Sequence, residues 1–93
     1  MIPNFEQVHN YYEHLVFEAV TRRAQAHPEF TPDMLADVAC VALNRLPTRY
    51  VRHDVDTVFY LTDQERQAIA LSLDEVLPLA FAFVQESALK PVG

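Results

Sequence analysis

Glycine is nearly absent from this chain. One glycine stands in 93 residues, at position 93, so turns that need a left-handed backbone have almost no supply, and a turn-rich β-architecture is excluded. Hydrophobic residues make up 51% and charged ones 22%, a balance that excludes an intrinsically disordered polymer as well. Cysteine occurs once, as Cys40. A lone thiol has no internal disulfide partner and falls short of the about four Cys or His ligands of a structural zinc site, which fits a reducing, cytoplasmic setting. No segment approaches roughly 18 uninterrupted apolar residues, and MIPNFEQVHNYYEH has no basic stretch leading into an apolar one. Neither export nor membrane crossing is expected. Cations are scarce too: seven Lys and Arg stand against thirteen Asp and Glu, a formal net charge of -6. Wrapping DNA or RNA normally draws on a broadly basic surface, so nucleic-acid binding is not expected.

What remains is an apolar chain with helical spacing. Asn4 followed by Gln7 is a capping-box pattern, and Phe5, Val8, Tyr12, Leu15, Val16, Ala19 and Val20 recur three and four apart, which predicts a first helix over about 5 to 26. Arg22 and Arg23 fall in its last turn, where cations complement the helix dipole, and Pro28 lies beyond. Thr31, Pro32 and Asp33 suit the cap and first positions of a second helix. Its inner face is Leu35, Val38, Ala39, Ala42 and Leu46, with Val41 and Leu43 apolar on the other side, so it is expected to be the most buried helix; Pro47 stops it. From Tyr50 to Leu61 the alternation is closer to period two, an extended segment or short strand. With no second strand-like run in sight, its natural partner is its own copy in another subunit, antiparallel about a twofold axis. Thr62 and Glu65 open a third helix through Ile69, Leu73, Val76, Leu77, Ala80, Phe81 and Val84, and Pro78, together with the cap pattern of Ser72 and Glu75, predicts a kink or break near 72 to 76. The fold class is therefore all-α: one domain over 1–93, with three to four helices and one short extended segment. A chain this short buries a modest share of its surface, which favours a homodimer.

Few residues invite chemistry. His53, Asp54 and Asp56 in HDVD have ligand-type side chains, but the extra histidines, His9 and His14, would diverge by about 140° on a helix. A solvated polar edge is the better reading, and no metal or cofactor is expected. Cys40 lies among Val38, Ala39, Val41 and Ala42, where a thiol packs as a small apolar group. There is no glycine-rich phosphate loop and no nucleophile elbow, so no enzyme is expected.

The cations are distributed unevenly. Arg45, Arg49 and Arg52 fall within eight residues of LNRLPTRYVRHDVD, beside Tyr50, His53 and Asp54. Guanidinium groups bind phosphate and the guanine edge bidentately, a tyrosine ring offers a base a stacking surface, and a carboxylate accepts from a guanine N–H. These are the parts of a site for a small anionic nucleotide. The simpler alternative has Arg45 compensating a helix terminus and Arg49 and Arg52 pairing with neighbouring acids, and local chemistry alone favours it.

The run DVACVALNRLPTRYV, Asp37 to Val51, resembles the signature segment of the late competence development protein ComFB family, and NYYEHLV, Asn10 to Val16, is similar to that family's first helix. The resemblance implies a small helical homodimer of the bacterial cytoplasm without catalytic activity. Some members hold zinc through several cysteines; this chain has Cys40 only, and Thr48 stands where the family's second proline is usual. Other members are cyclic dinucleotide receptors. That implies a cyclic di-GMP or cyclic di-AMP ligand, with Arg45, Arg49, Tyr50, Arg52, His53 and Asp54 assigned from local chemistry, and a downstream protein that responds. The alternative is a dimeric interaction or structural module with no small-molecule ligand.

Overall fold

A computed structural model describes residues 3–52 and 61–89. After a 3-10 turn at Phe5–Gln7 the chain runs through β1 (His9–Asn10), α1 (Tyr11–Arg23), a second 3-10 turn at Ala24–Ala26, α2 (Pro32–Arg45), β2 (Tyr50–Val51) and α3 (Asp63–Leu89). α2 packs against both other helices. The core lies where the three meet, with Val16, Val38 and Leu77 fully buried, and this mostly helical domain is the all-α fold that the sequence predicts.

Local sequence explains most helix ends. At the start of α2 the Thr31 hydroxyl accepts from the Met34 N–H at 3.1 Å and Pro32 fills the first turn. At its end Leu46 turns to an extended conformation before Pro47, its N–H still donating to the Ala42 carbonyl at 3.1 Å. α3 opens on the predicted cap, with the Thr62 hydroxyl accepting from the Glu65 N–H at 3.0 Å. Each such cap contributes about 1 kcal/mol.

The first helix starts later than predicted. Asn4 makes no side-chain cap bond, Phe5 and Val8 are exposed, and helix begins at Tyr11 with Asn10 as its cap. The reason is tertiary: His9 and Asn10 pair antiparallel with Val51 and Tyr50, and a residue paired in a ladder is extended rather than helical. The start of the expected extended segment, Tyr50–Val51, pairs within its own chain, and residues 53–60 of that segment, with the pairing expected of them, lie outside the described residues. A two-residue strand hidden under a helical spacing pattern gives no period-two signal of its own.

Of the kink or break expected near 72 to 76, the break does not occur. α3 is one helix with Pro78 inside it, and the Ser72 hydroxyl donates back to the Ala68 carbonyl at 2.9 Å instead of capping a new helix. Pro78 removes one backbone bond, a cost of about 3 kcal/mol. Burial of Leu77, Ala80, Phe81 and Val84 beside it outweighs that loss, at about 1.5 to 3 kcal/mol for each large side chain. By length and composition Asp63–Ala88 would suffice to cross a membrane, with 22% of its most apolar window buried. Its inner face packs in the core, and Asp74 forms an ion pair with Arg23 at 3.0 Å.

Burial is also distributed differently from expectation. α1 has five buried residues in 13, and α2 has three in 14, so α2 is not the most buried helix. The side of α2 that carries Cys40 faces outward: the thiol is exposed rather than packed, next to the Asn44 amide at 3.7 Å.

Candidate ligand site at the arginine-rich turn

The turn that follows α2 is fixed through its backbone by one buried side chain. Asn10 is 7% exposed, and its Oδ1 accepts from the Tyr12 N–H at 3.2 Å and from the Arg49 N–H at 3.0 Å. The Tyr11 N–H donates to the Arg49 carbonyl at 2.7 Å. One amide thus caps α1 and clamps the turn onto it. Sequence reasoning missed Asn10, although its place just before a helical run was a visible cap signal; the clamp partner lies 39 positions away.

The three arginines leave this turn in different directions. Arg49 approaches Glu65 at the start of α3, with Nη1 to Oε2 at 3.7 Å and both side chains roughly half exposed at 45% and 48%. Arg52 donates from Nε to the Gln7 side-chain carbonyl at 3.1 Å. Arg45 lies over the Phe83 ring, 5.8 Å from its centroid. Phe83 and Glu65 stand 18 residues apart on α3, about 27 Å of helix, so Arg45 is drawn away from Arg49. Tyr50 is 68% exposed, and Arg52 lies in a bend just past the two-residue strand.

Arg49 and Arg52 thus reach different partners, Glu65 on α3 and Gln7 in the N-terminal turn, and Arg45 lies against Phe83. What the three share with Tyr50 is neighbouring positions at one turn rather than a common side-chain cluster. His53, Asp54 and Asp56 lie outside the described residues. His9 is in β1 rather than on a helix, with Nδ1 2.9 Å from the Gln7 carbonyl. Among the described residues no three His, Cys, Asp or Glu side chains converge.

Helices braced by a two-residue ladder, with cations on its exposed turn, define a small, mostly α-helical domain. Residues 9–88 match the family model for the late competence development protein ComFB, and the chain belongs to that family. Membership places it among competence-related regulatory proteins. No curated protein and no solved structure matches the chain.

Proposed function

We propose that this protein is a non-enzymatic receptor for a cyclic dinucleotide, cyclic di-GMP or cyclic di-AMP, which binds at the arginine-rich turn. The observation that supports the reading is that Arg49, the exposed Tyr50 and Arg52 stand within four positions of one another on a turn whose backbone is clamped by Asn10. The exposed Tyr50 ring is a stacking surface for a base, worth about 1 to 3 kcal/mol. The guanidinium of Arg49 is available, because an ion pair at 3.7 Å between half-exposed groups is worth at most about 1 kcal/mol and a phosphate can displace it. Among the described residues Arg52 is held by a neutral amide oxygen, that of Gln7. His53 and Asp54 follow directly in the sequence and remain part of the proposed site. Arg45 joins it only by leaving Phe83. In this reading the protein acts as a cytoplasmic homodimer and passes its state to a downstream protein, without nucleic acid or membrane.

Isothermal titration calorimetry of the purified protein against both cyclic dinucleotides tests the proposal. Micromolar or tighter binding that weakens in Arg49→Ala, Arg52→Ala and Tyr50→Ala supports it; absence of binding to either nucleotide ends it. A second reading, a dimeric interaction or structural module with no small ligand, is favoured by the exposure of Leu71, Leu79 and Phe83 on α3. A dimer whose stability depends on these residues, in a protein that ignores nucleotides, is its signature.

A further inference from the structure

Gln7 and Arg52 meet although 45 positions separate them. The antiparallel ladder that pairs His9 with Val51 and Asn10 with Tyr50 lays the residues just before β1 alongside those just after β2. The backbone of Gln7 is held on both sides, since its N–H donates to the Asn4 carbonyl at 3.1 Å and its carbonyl accepts from the His9 ring at 2.9 Å. Its side chain starts from a fixed point and ends with Oε1 3.1 Å from the Nε of Arg52.

That bond orients the amide. A guanidinium N–H can only donate, so the amide atom that meets it is the oxygen, and the amide nitrogen is turned elsewhere with both of its hydrogens. The Nη groups of Arg52 are donors as well. With the Gln7 oxygen engaged by Arg52, the pair presents mainly donors: the Nη–H groups of one residue and the Nε2–H groups of the other. Both residues are exposed, and among the described residues no acceptor meets these donors.

A donor edge discriminates between bases. The guanine edge that carries N7 and O6 offers acceptors alone, whereas the corresponding adenine edge pairs its N7 acceptor with the N6 amino group, a donor. Guanine thus finds partners for both atoms. The adenine amino group would face N–H groups and leave donors unpaired on both sides, a repulsive element against the wrong base. Phosphate is also an acceptor, but it is drawn to charge, and the Gln7 amide adds donors without adding charge. The Tyr50 ring, 68% exposed and two positions before Arg52, supplies a stacking surface for a base at the same turn.

We infer that Gln7 and Arg52 together read a guanine base, which makes cyclic di-GMP rather than cyclic di-AMP the ligand of this turn. The inference rests on the receptor reading and adds to it a residue from outside the arginine-rich run and a choice of base. Arg49 meets phosphate, which both nucleotides carry. Gln7 and Arg52 set the preference between them.

The test is calorimetric titration of the full chain and its variants with cyclic di-GMP and with cyclic di-AMP. The wild-type protein is expected to bind cyclic di-GMP about tenfold tighter or more, in the range of one bidentate base contact. Arg49→Ala weakens both nucleotides by similar factors and keeps their ratio. Gln7→Ala and Arg52→Ala weaken cyclic di-GMP by about fivefold or more and cyclic di-AMP less, so the ratio falls toward one. Gln7→Glu keeps a partner for Arg52 but replaces the amide donors with an acceptor, and it lowers the ratio as well. Gln7 lies in a turn with no buried residue, and circular dichroism checks that its variants keep the fold. Equal affinities in the wild-type protein, or tighter binding of cyclic di-AMP, would overturn the inference and leave the receptor reading standing, with the donors then assigned to phosphate. A preference for cyclic di-GMP that survives both Gln7→Ala and Arg52→Ala would overturn it too. Binding of neither nucleotide would remove the receptor reading and this inference with it.

Discussion

Asn10 and Arg49 meet at one hydrogen bond, yet their side chains live under opposite regimes. The Asn10 amide is buried and accepts two backbone bonds, at 3.2 and 3.0 Å, so its geometry is set from both sides. The Arg49 guanidinium hangs in solvent with one carboxylate at 3.7 Å. The turn has a fixed backbone and loosely tethered cations. A rigid frame with exchangeable side-chain partners lowers the ordering cost of binding an anion, because only the tips must rearrange.

Breaking the fixed half should have the largest effect. Asn10→Ala removes the α1 cap and leaves the Arg49 N–H without its acceptor, for a predicted loss of about 2 to 4 kcal/mol in urea unfolding. A loss below about 0.5 kcal/mol would show that the clamp is incidental. Breaking the loose half should leave stability nearly alone: Arg49→Ala is expected to shift the unfolding free energy by less than about 1 kcal/mol, while weakening cyclic dinucleotide binding by about 1.5 to 3 kcal/mol in calorimetry. The reverse pattern would make Arg49 a structural ion-pair residue. Thr62→Ala, which deletes the α3 cap beside Glu65, should cost about 1 kcal/mol and leave nucleotide affinity unchanged. The smallest effect sharpens the comparison most. Glu65→Gln frees Arg49 from its competing carboxylate and is expected to tighten nucleotide binding by up to about 1 kcal/mol, an advantage that fades with added salt. Weaker binding in this variant would mean that Glu65 positions the arginine rather than competes for it.

The same contrast explains what the sequence reveals. α2 is legible from Thr31 to Pro47 because both of its boundaries are made by residues adjacent in the chain. The start of α3 is legible for the same reason, and its buried positions Leu77, Ala80, Phe81 and Val84 follow the spacing. The start of α1 is not, since Asn4 and Gln7 form a plausible local cap and the ladder that overrides it involves residues about 40 positions later. Of the kink or break expected in α3, the break does not occur, because local proline chemistry ignores the core that holds Leu77. At the candidate site the gathering of cations is visible in the sequence, and their divergence is not. Arg45 is drawn off by Phe83, a residue of another helix that no spacing rule connects to it.

The Asn10 to Arg49 bond has a kinetic consequence. It closes a loop of 39 positions, and bringing the ends of such a loop together costs about 3 kcal/mol in chain entropy before any contact is gained. A ladder of two residue pairs cannot meet that cost by itself, so it forms after α1 and α2 have packed and shortened the distance. By the same reasoning it opens first, as a local fluctuation that leaves the core intact. Hydrogen exchange should therefore be faster at the Tyr11 and Arg49 amides than at those of Val38 and Ala42 in the middle of α2. A ligand seated on the closed turn would draw on that opening equilibrium and slow exchange at these two amides first, a readout that reports occupancy at the turn without labelling the ligand.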